Sequence, residues 1–257
     1  MRGPADSLPL TIAKLERLGL PLSEALRTVM LDPALFHQER AAAGKLLAIS
    51  GDKGGAQLLL KLFFEQSQKD DLYVTALTLE ELNDRRAVPI LINALLEDSN
   101  PHRRHAAARA LGWISPSNRA TARALARCLV DSTQPQPARE EAAESLAYVG
   151  TRETIDAIIS VLRDPDVRIR FWAVFGLGGS CRGDLRAIQA LESVLDDGET
   201  PPGNWWSVGK EALAMLAELQ PVRDPYGARL RAETQRILSD LNATEEDRRW
   251  AWCYDHT

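Results

Sequence analysis

Apolar residues recur along this chain at i, i+3, i+4 and i+7, and no alternating run long enough for a strand occurs, so the pattern predicts helices throughout. Residues 87–96 (AVPILINALL) and 154–162 (TIDAIISVL) carry the period most clearly, and Pro89 falls in a first turn, where its missing N–H costs nothing. Breaker segments such as 97–101 (EDSNP) and 163–166 (RDPD) separate the periodic stretches.

The pattern also repeats over a longer range. Residues 104–114 (RHAAARALGWI), 139–150 (REEAAESLAYVG) and 170–178 (RFWAVFGLG) are copies of one motif, and weaker copies lie at 39–49, 72–82 and 209–219. Taking Leu46, Leu79, Leu111, Leu146, Leu177 and Leu216 as anchors gives spacings of 33, 32, 35, 31 and 39 residues. Four positions before each anchor stands a small or short residue: Ala42, Thr75, Ala107, Ala142, Ala173 and Ala212. Small residues there let neighbouring helices approach closely. A helix pair of this size cannot bury its apolar face alone, and stacking such pairs creates a continuous core. The expected fold is therefore all-α, an α-solenoid of about six helix pairs with terminal capping helices. Residues 1–34 are assigned to N-terminal caps, 35–240 to the repeat array and 241–257 to a C-terminal cap, within one structural domain. Trp250, Trp252 and Tyr254, after the N-cap signal of Thr244 and an acidic first turn, are expected to seal the last repeat.

The copies resemble HEAT-like repeats of the phycobilisome-lyase type, with residues 164–170 (DPDVRIR), Ala173 and Leu177 as the best match. The resemblance spans residues from about 35 to 240 and speaks to architecture rather than activity. It implies that the helix bearing the arginine and alanines lines a concave face, through the two positions after the arginine, the one after the alanine pair and the one after the glycine. Carried over, these positions are Tyr73, Val74, Leu77 and Glu81; His105, Ala106, Arg109 and Trp113; Glu140, Glu141, Glu144 and Tyr148; Phe171, Trp172, Phe175 and Gly179; and Lys210, Glu211, Ala214 and Glu218. Glu39 and Leu72 replace the arginine in the first two copies. Six of the chain's fifteen aromatic residues fall on this face, which an inert repeat would leave polar. Aromatics and arginine dominate interface hot spots. The candidate partner-binding residues are accordingly Tyr73, His105, Arg109, Trp113, Glu140, Glu141, Glu144, Tyr148, Phe171, Trp172 and Phe175, banded as basic with Arg103, then acidic, then aromatic. The competing reading packs some of these rings into the core. The recurrent Arg104, Arg139 and Arg170, with Asp98, Asp131 and Asp164 upstream, are read as a ladder stitching repeats together rather than as phosphate ligands.

Charge and chemistry narrow the function. A formal net charge of −5 argues against a dedicated nucleic-acid binder, which draws its affinity from neutralised phosphates. No apolar run is long enough for a membrane span, and three scattered cysteines suit a reducing cytoplasm. His102 and His105 lack a carboxylate or cysteine ligand close in sequence, the paired His-Glu motifs of helical di-iron hydroxylases do not occur, and no nucleophile or phosphate-loop motif is found. Cys128 is read as buried and inert, whereas Cys181 has no visible base beside it. The expectation is a scaffold with no cofactor and no metal, binding another protein or peptide in its groove. A bilin lyase-like role and a nucleic-acid binder resembling the HEAT-like DNA glycosylases are the alternatives. Trp205 and Trp206, after the insertion at 196–204, either overhang the groove or plug the gap before the last repeat.

Overall fold

The computed structural model describes residues 19, 21–52, 54–114, 118–149, 151–180, 184–203, 206–219, 225–240 and 242–254. Among these it contains fourteen α-helices and no strand. They group into two units, Met1–Ser115 and Pro116–Thr257.

In the first unit the helices are α1 (Leu22–Leu31), α2 (His37–Ile49), α3 (Gly55–Glu65), α4 (Lys69–Leu82), α5 (Val88–Glu97) and α6 (Pro101–Ile114). They form three pairs, and the small-residue helices α2, α4 and α6 stack in succession. Each anchor leucine lies at the bottom of its pair, with Leu79 and Leu111 fully buried. The first copy is an exception. Leu46 is half-buried and the residue with no exposure is Leu47, preceded by a fully buried Ala43. The register is therefore one residue later than the motif suggests, and the reason is Arg40. Its Nε donates to the Met30 carbonyl at 2.8 Å and its guanidinium meets Glu65 at 3.3 Å. Arg139 does the same in the second unit, donating from Nε to the Leu129 carbonyl at 2.9 Å and meeting Asp164 at 2.5 Å. Arg40 is thus the motif arginine of the first copy, and α1 stands to α2 as the helix containing Leu129 stands to its successor. Glu39 caps α2 instead, accepting from the Phe36 N–H at 3.1 Å.

The second unit comprises α7 (Arg119–Val130), α8 (Gln136–Leu146), α9 (Arg152–Ser160), α10 (Val167–Ser180), α11 (Leu185–Glu192), α12 (Val208–Leu219), α13 (Pro225–Ser239) and α14 (Glu245–Tyr254). Here α8, α10 and α12 form the small-residue layer. The closeness of α10 to α8 depends on glycine. A Cβ on Gly176 would lie 2.8 Å from the Ala143 carbonyl oxygen, and one on Gly179 would lie 2.9 Å from Ala147. The arginine ladder is present, but it runs to the carboxylate of the next repeat: Arg139 to Asp164, and Arg170 to Asp197 at 2.8 Å. Arg170 also holds Glu199 at 3.0 Å, so the ladder fixes the base of the insertion. The first turn of α12 completes that anchorage, Gly209 N–H donating to the Asp197 carbonyl at 2.8 Å.

The C-terminal cap is built as the aromatic pattern predicts, in part. Trp250 is fully buried with Leu213, Leu230 and Ile237, and Trp206 and Tyr254 pack against them, whereas Trp252 is 70% exposed. Thr244 caps α14, its hydroxyl accepting from the Asp247 N–H at 3.0 Å. Trp206 fills the end of the stack; Trp205 lies outside the described residues, as do the predicted helix before residue 19, Cys181 and His256.

Candidate binding face

A residue four positions along a helix lies one turn further on the same side. The predicted positions 105, 109 and 113 on α6 are therefore one row, as are 140 and 144 on α8, with 148 just past its end. The position two after the arginine is turned about 100° away from this row.

In the first unit α4 and α6 bring Tyr73 and Arg109 together. The Arg109 guanidinium lies 5.2 Å from the Tyr73 ring centroid, and its Nε is 3.2 Å from Glu80. His105 is half-buried one turn before Arg109, and Trp113, 50% exposed, ends the row one turn after it. The neighbouring helix α2 carries Lys45, paired with Glu81 of α4. Charges on this face are matched in cis. Arg103 does not belong to it: its guanidinium is spent on Asp98 at 2.8 Å and the Gln66 carbonyl at 2.6 Å, so the basic band predicted from sequence is narrower than expected.

The second unit presents a different row. Glu140 and Glu144 are half-buried on α8, and Tyr148 is 52% exposed at its end. Glu140 accepts from the Gln136 amide and lies 3.9 Å from Arg168 of α10. On α10, Trp172 and Phe175 are half-buried and meet edge to face at 5.6 Å between centroids.

Two predicted binding residues are corrected. Glu141 is only 7% exposed, and its counterparts Ala106 and Glu211 are nearly closed off, whereas in the fifth copy the residue two after the arginine, Trp172, stays half-buried and the one before it is closed off. Phe171 is 6% exposed, packed edge-on against Trp172 at 5.8 Å, and belongs to the core. Neither can meet a partner without rearrangement.

Sequence reasoning missed one residue. Arg168 shares a stripe with Trp172, Phe175 and Gly179 at intervals of four, three and four residues, a signal visible in the sequence but outside the family's motif positions. Glu211, carried over to the face by the repeat pattern, is instead buried. Its carboxylate accepts a hydrogen bond from the Trp206 indole N–H at 2.5 Å. Burial pushes its carboxyl up to about 7, the indole bond opposes the rise, and the charge of Glu218 adds to it. The same burial and the neighbouring carboxylates raise the Tyr254 hydroxyl.

Among the described residues no group of three His, Cys, Asp or Glu is placed to hold a metal ion, and no helix is long and apolar enough to cross a membrane. Cys128 is buried on α7 and Cys253 exposed on α14. The residues 176–179, rich in glycine, lie inside α10 and form no phosphate loop.

Fold and face together define a stack of two-helix repeats held by small residues and an arginine–carboxylate ladder. The family model for HEAT repeats matches residues 56–147 and 123–208, which together span more than half of the chain. The protein belongs to the HEAT-repeat family. The match is to the repeat itself and carries no lyase assignment. An archaeal HEAT-like repeats protein from Thermococcus onnurineus NA1 is similar in structure, with a TM-score of 0.51 and 17% identity over 92% of this chain and 96% of that one. An engineered protein aligns with a TM-score of 0.47 and 17% identity over 79% of this chain and 98% of its own. Human deoxyhypusine hydroxylase aligns with a TM-score of 0.35 and 19% identity over 97% and 100%. No curated protein matches the sequence.

Proposed function

We propose that this protein is a non-catalytic scaffold that holds another protein or peptide against the rows of its small-residue helices. The observation that carries this reading is the aromatic content of those rows. Trp113 and Tyr148 are half exposed, and Tyr73, Trp172 and Phe175 are partly so, on helices whose other sides are closed by alanine and leucine. Large rings left at a surface supply contact area at low entropic cost and are over-represented where partners bind. A nucleic-acid role has less support: Arg109 is already neutralised by Glu80, and the second unit's row is acidic, so neither offers phosphates a net positive surface.

The test is affinity capture from the native cell with wild type and a Tyr148→Ala/Trp172→Ala/Phe175→Ala variant of equal melting temperature. The scaffold reading expects a partner retained by wild type and lost by the variant. Identical captures from both would sink it.

A further inference from the structure

The last repeat departs from the stacking of the others. Earlier in this unit outer helix lies on outer helix, as α9 does on α7, whereas α13 lies on α12. Between α13, the first turns of α12 and the insertion is a cleft of about 380 Å³. Asp196 and Gly198 line it from the insertion, Lys210 from α12, and Arg229, Glu233 and Arg236 from α13. A Cβ on Gly198 would meet no atom within 4 Å, so the insertion side is open. Insertions in repeat arrays often border the binding face, and Lys210 is one of the positions that the repeat pattern assigns to that face.

Most charges in the cleft are matched within the chain. Lys210 pairs with Asp247, Arg236 with Glu233 at 2.7 Å, and Asp197 with Arg170 at 2.8 Å. Asp196 and Arg229 differ. Both are exposed, and among the described residues neither side chain has a hydrogen bond or an ion pair. The Arg229 charge reaches Glu233 at longer range: the Arg236 hydrogen bond holds that carboxyl below its ordinary value, and Lys210 and Arg229 add to the effect. The α13 side is thus left with one unmatched guanidinium and the insertion side with one unmatched carboxylate.

We propose that this cleft receives a partner segment of mixed charge, its basic side chain paired with Asp196 and its acidic one with Arg229. Such a segment gains two charge-assisted contacts and displaces none of the pairs that hold the chain. A segment of one sign gains one contact and is repelled by the other group. This inference rests on the scaffold reading and adds the chemistry of the partner.

The experiment is fluorescence anisotropy on the full chain with three labelled short peptides with blocked ends: lysine–glycine–glutamate, lysine–glycine and glutamate–glycine repeats. The mixed peptide is expected to bind in preference to both others, whereas the chain's net charge of −5 alone would favour the lysine peptide. Asp196→Ala and Arg229→Ala should each weaken it about threefold to fivefold, the order of a solvent-exposed ion pair. Their melting temperatures should match wild type, since neither side chain holds the fold. Asp196→Lys should turn the preference to the glutamate peptide, and Arg229→Glu to the lysine peptide. The double variant Asp196→Lys/Arg229→Glu should return it to the mixed peptide, bound with its charges reversed. Equal or absent binding of the three, a wild-type preference for a peptide of one sign, or single exchanges that leave the preference unmoved overturn the proposal. If it falls while capture still depends on Tyr148, Trp172 and Phe175, the scaffold reading stands and only the mixed-charge segment is lost.

Discussion

Glu211 makes the protein's stability depend on pH in a direction opposite to that of most carboxylates. Its carboxyl, in a residue only 3% exposed, accepts from the Trp206 indole N–H, and its burial pushes it up to about 7. Below pH 4.5 the group is protonated in folded and unfolded chains alike, and the folded state bears no penalty. As pH rises past 4.5 the unfolded chain releases its proton while the folded chain retains it, so stability falls; above about 7 both are ionised and the loss is complete. The rise from 4.5 to about 7 corresponds to about 3 kcal/mol. Glu211→Gln keeps an acceptor for the indole and removes the ionisation. It should match wild type at pH 4 and exceed it by about 3 kcal/mol at pH 8. Urea denaturation followed by tryptophan fluorescence between pH 4 and 8 reads the difference directly, since Trp206 and Trp250 lie in this cap. The comparison cancels every other group that titrates in the window, His37 included. Parallel stability curves for the two proteins would refute the reasoning.

Other perturbations test the frame around the face. Asp164→Ala strands the Arg139 guanidinium, which is as buried as its partner, and should cost about 3–5 kcal/mol in chemical denaturation; a loss under 1 kcal/mol would mean the ladder is ornamental. Leu47→Ala should cost about 2–5 kcal/mol and Leu46→Ala much less, and the reverse order would restore the earlier register. Gly176→Ala forces α10 away from the Ala143 carbonyl and should lower stability by about 1–3 kcal/mol, measured in the same way; a neutral substitution would show that the helices are not in close contact there.

Much of the fold was legible in the chain. The 3.6-residue period, the breakers and the recurrence near every 33 residues are local or simply additive signals, and they define helices, pairs and a repeat family before any contact is known. The anchors Leu79, Leu111, Leu146, Leu177 and Leu216 are all buried, because a leucine flanked by alanines at helical spacing has only one apolar side to offer. The first copy failed for a reason the motif could not contain. Glu39 and Arg40 both occupy plausible positions, and only the carbonyl of Met30 and the carboxylate of Glu65, one from the preceding helix and one 25 residues on, select Arg40.

The face was legible in outline and wrong in detail. Positions four apart were bound to share a row, so Tyr73, His105, Arg109, Trp113, Glu140, Glu144, Tyr148 and Phe175 follow from helical geometry once the family supplies the side. Whether a position such as Glu141, Trp172 or Phe171 is open depends on how near the next helix comes, and that distance is set by side chains far away in sequence. The sequence by itself therefore determined the helices, their pairing and the composition of the rows. Tertiary structure alone decided which carboxylates meet which arginines, that Glu211 is desolvated under a tryptophan, and which rings remain at the surface, since burial and Coulomb energy depend on distances that no local pattern encodes.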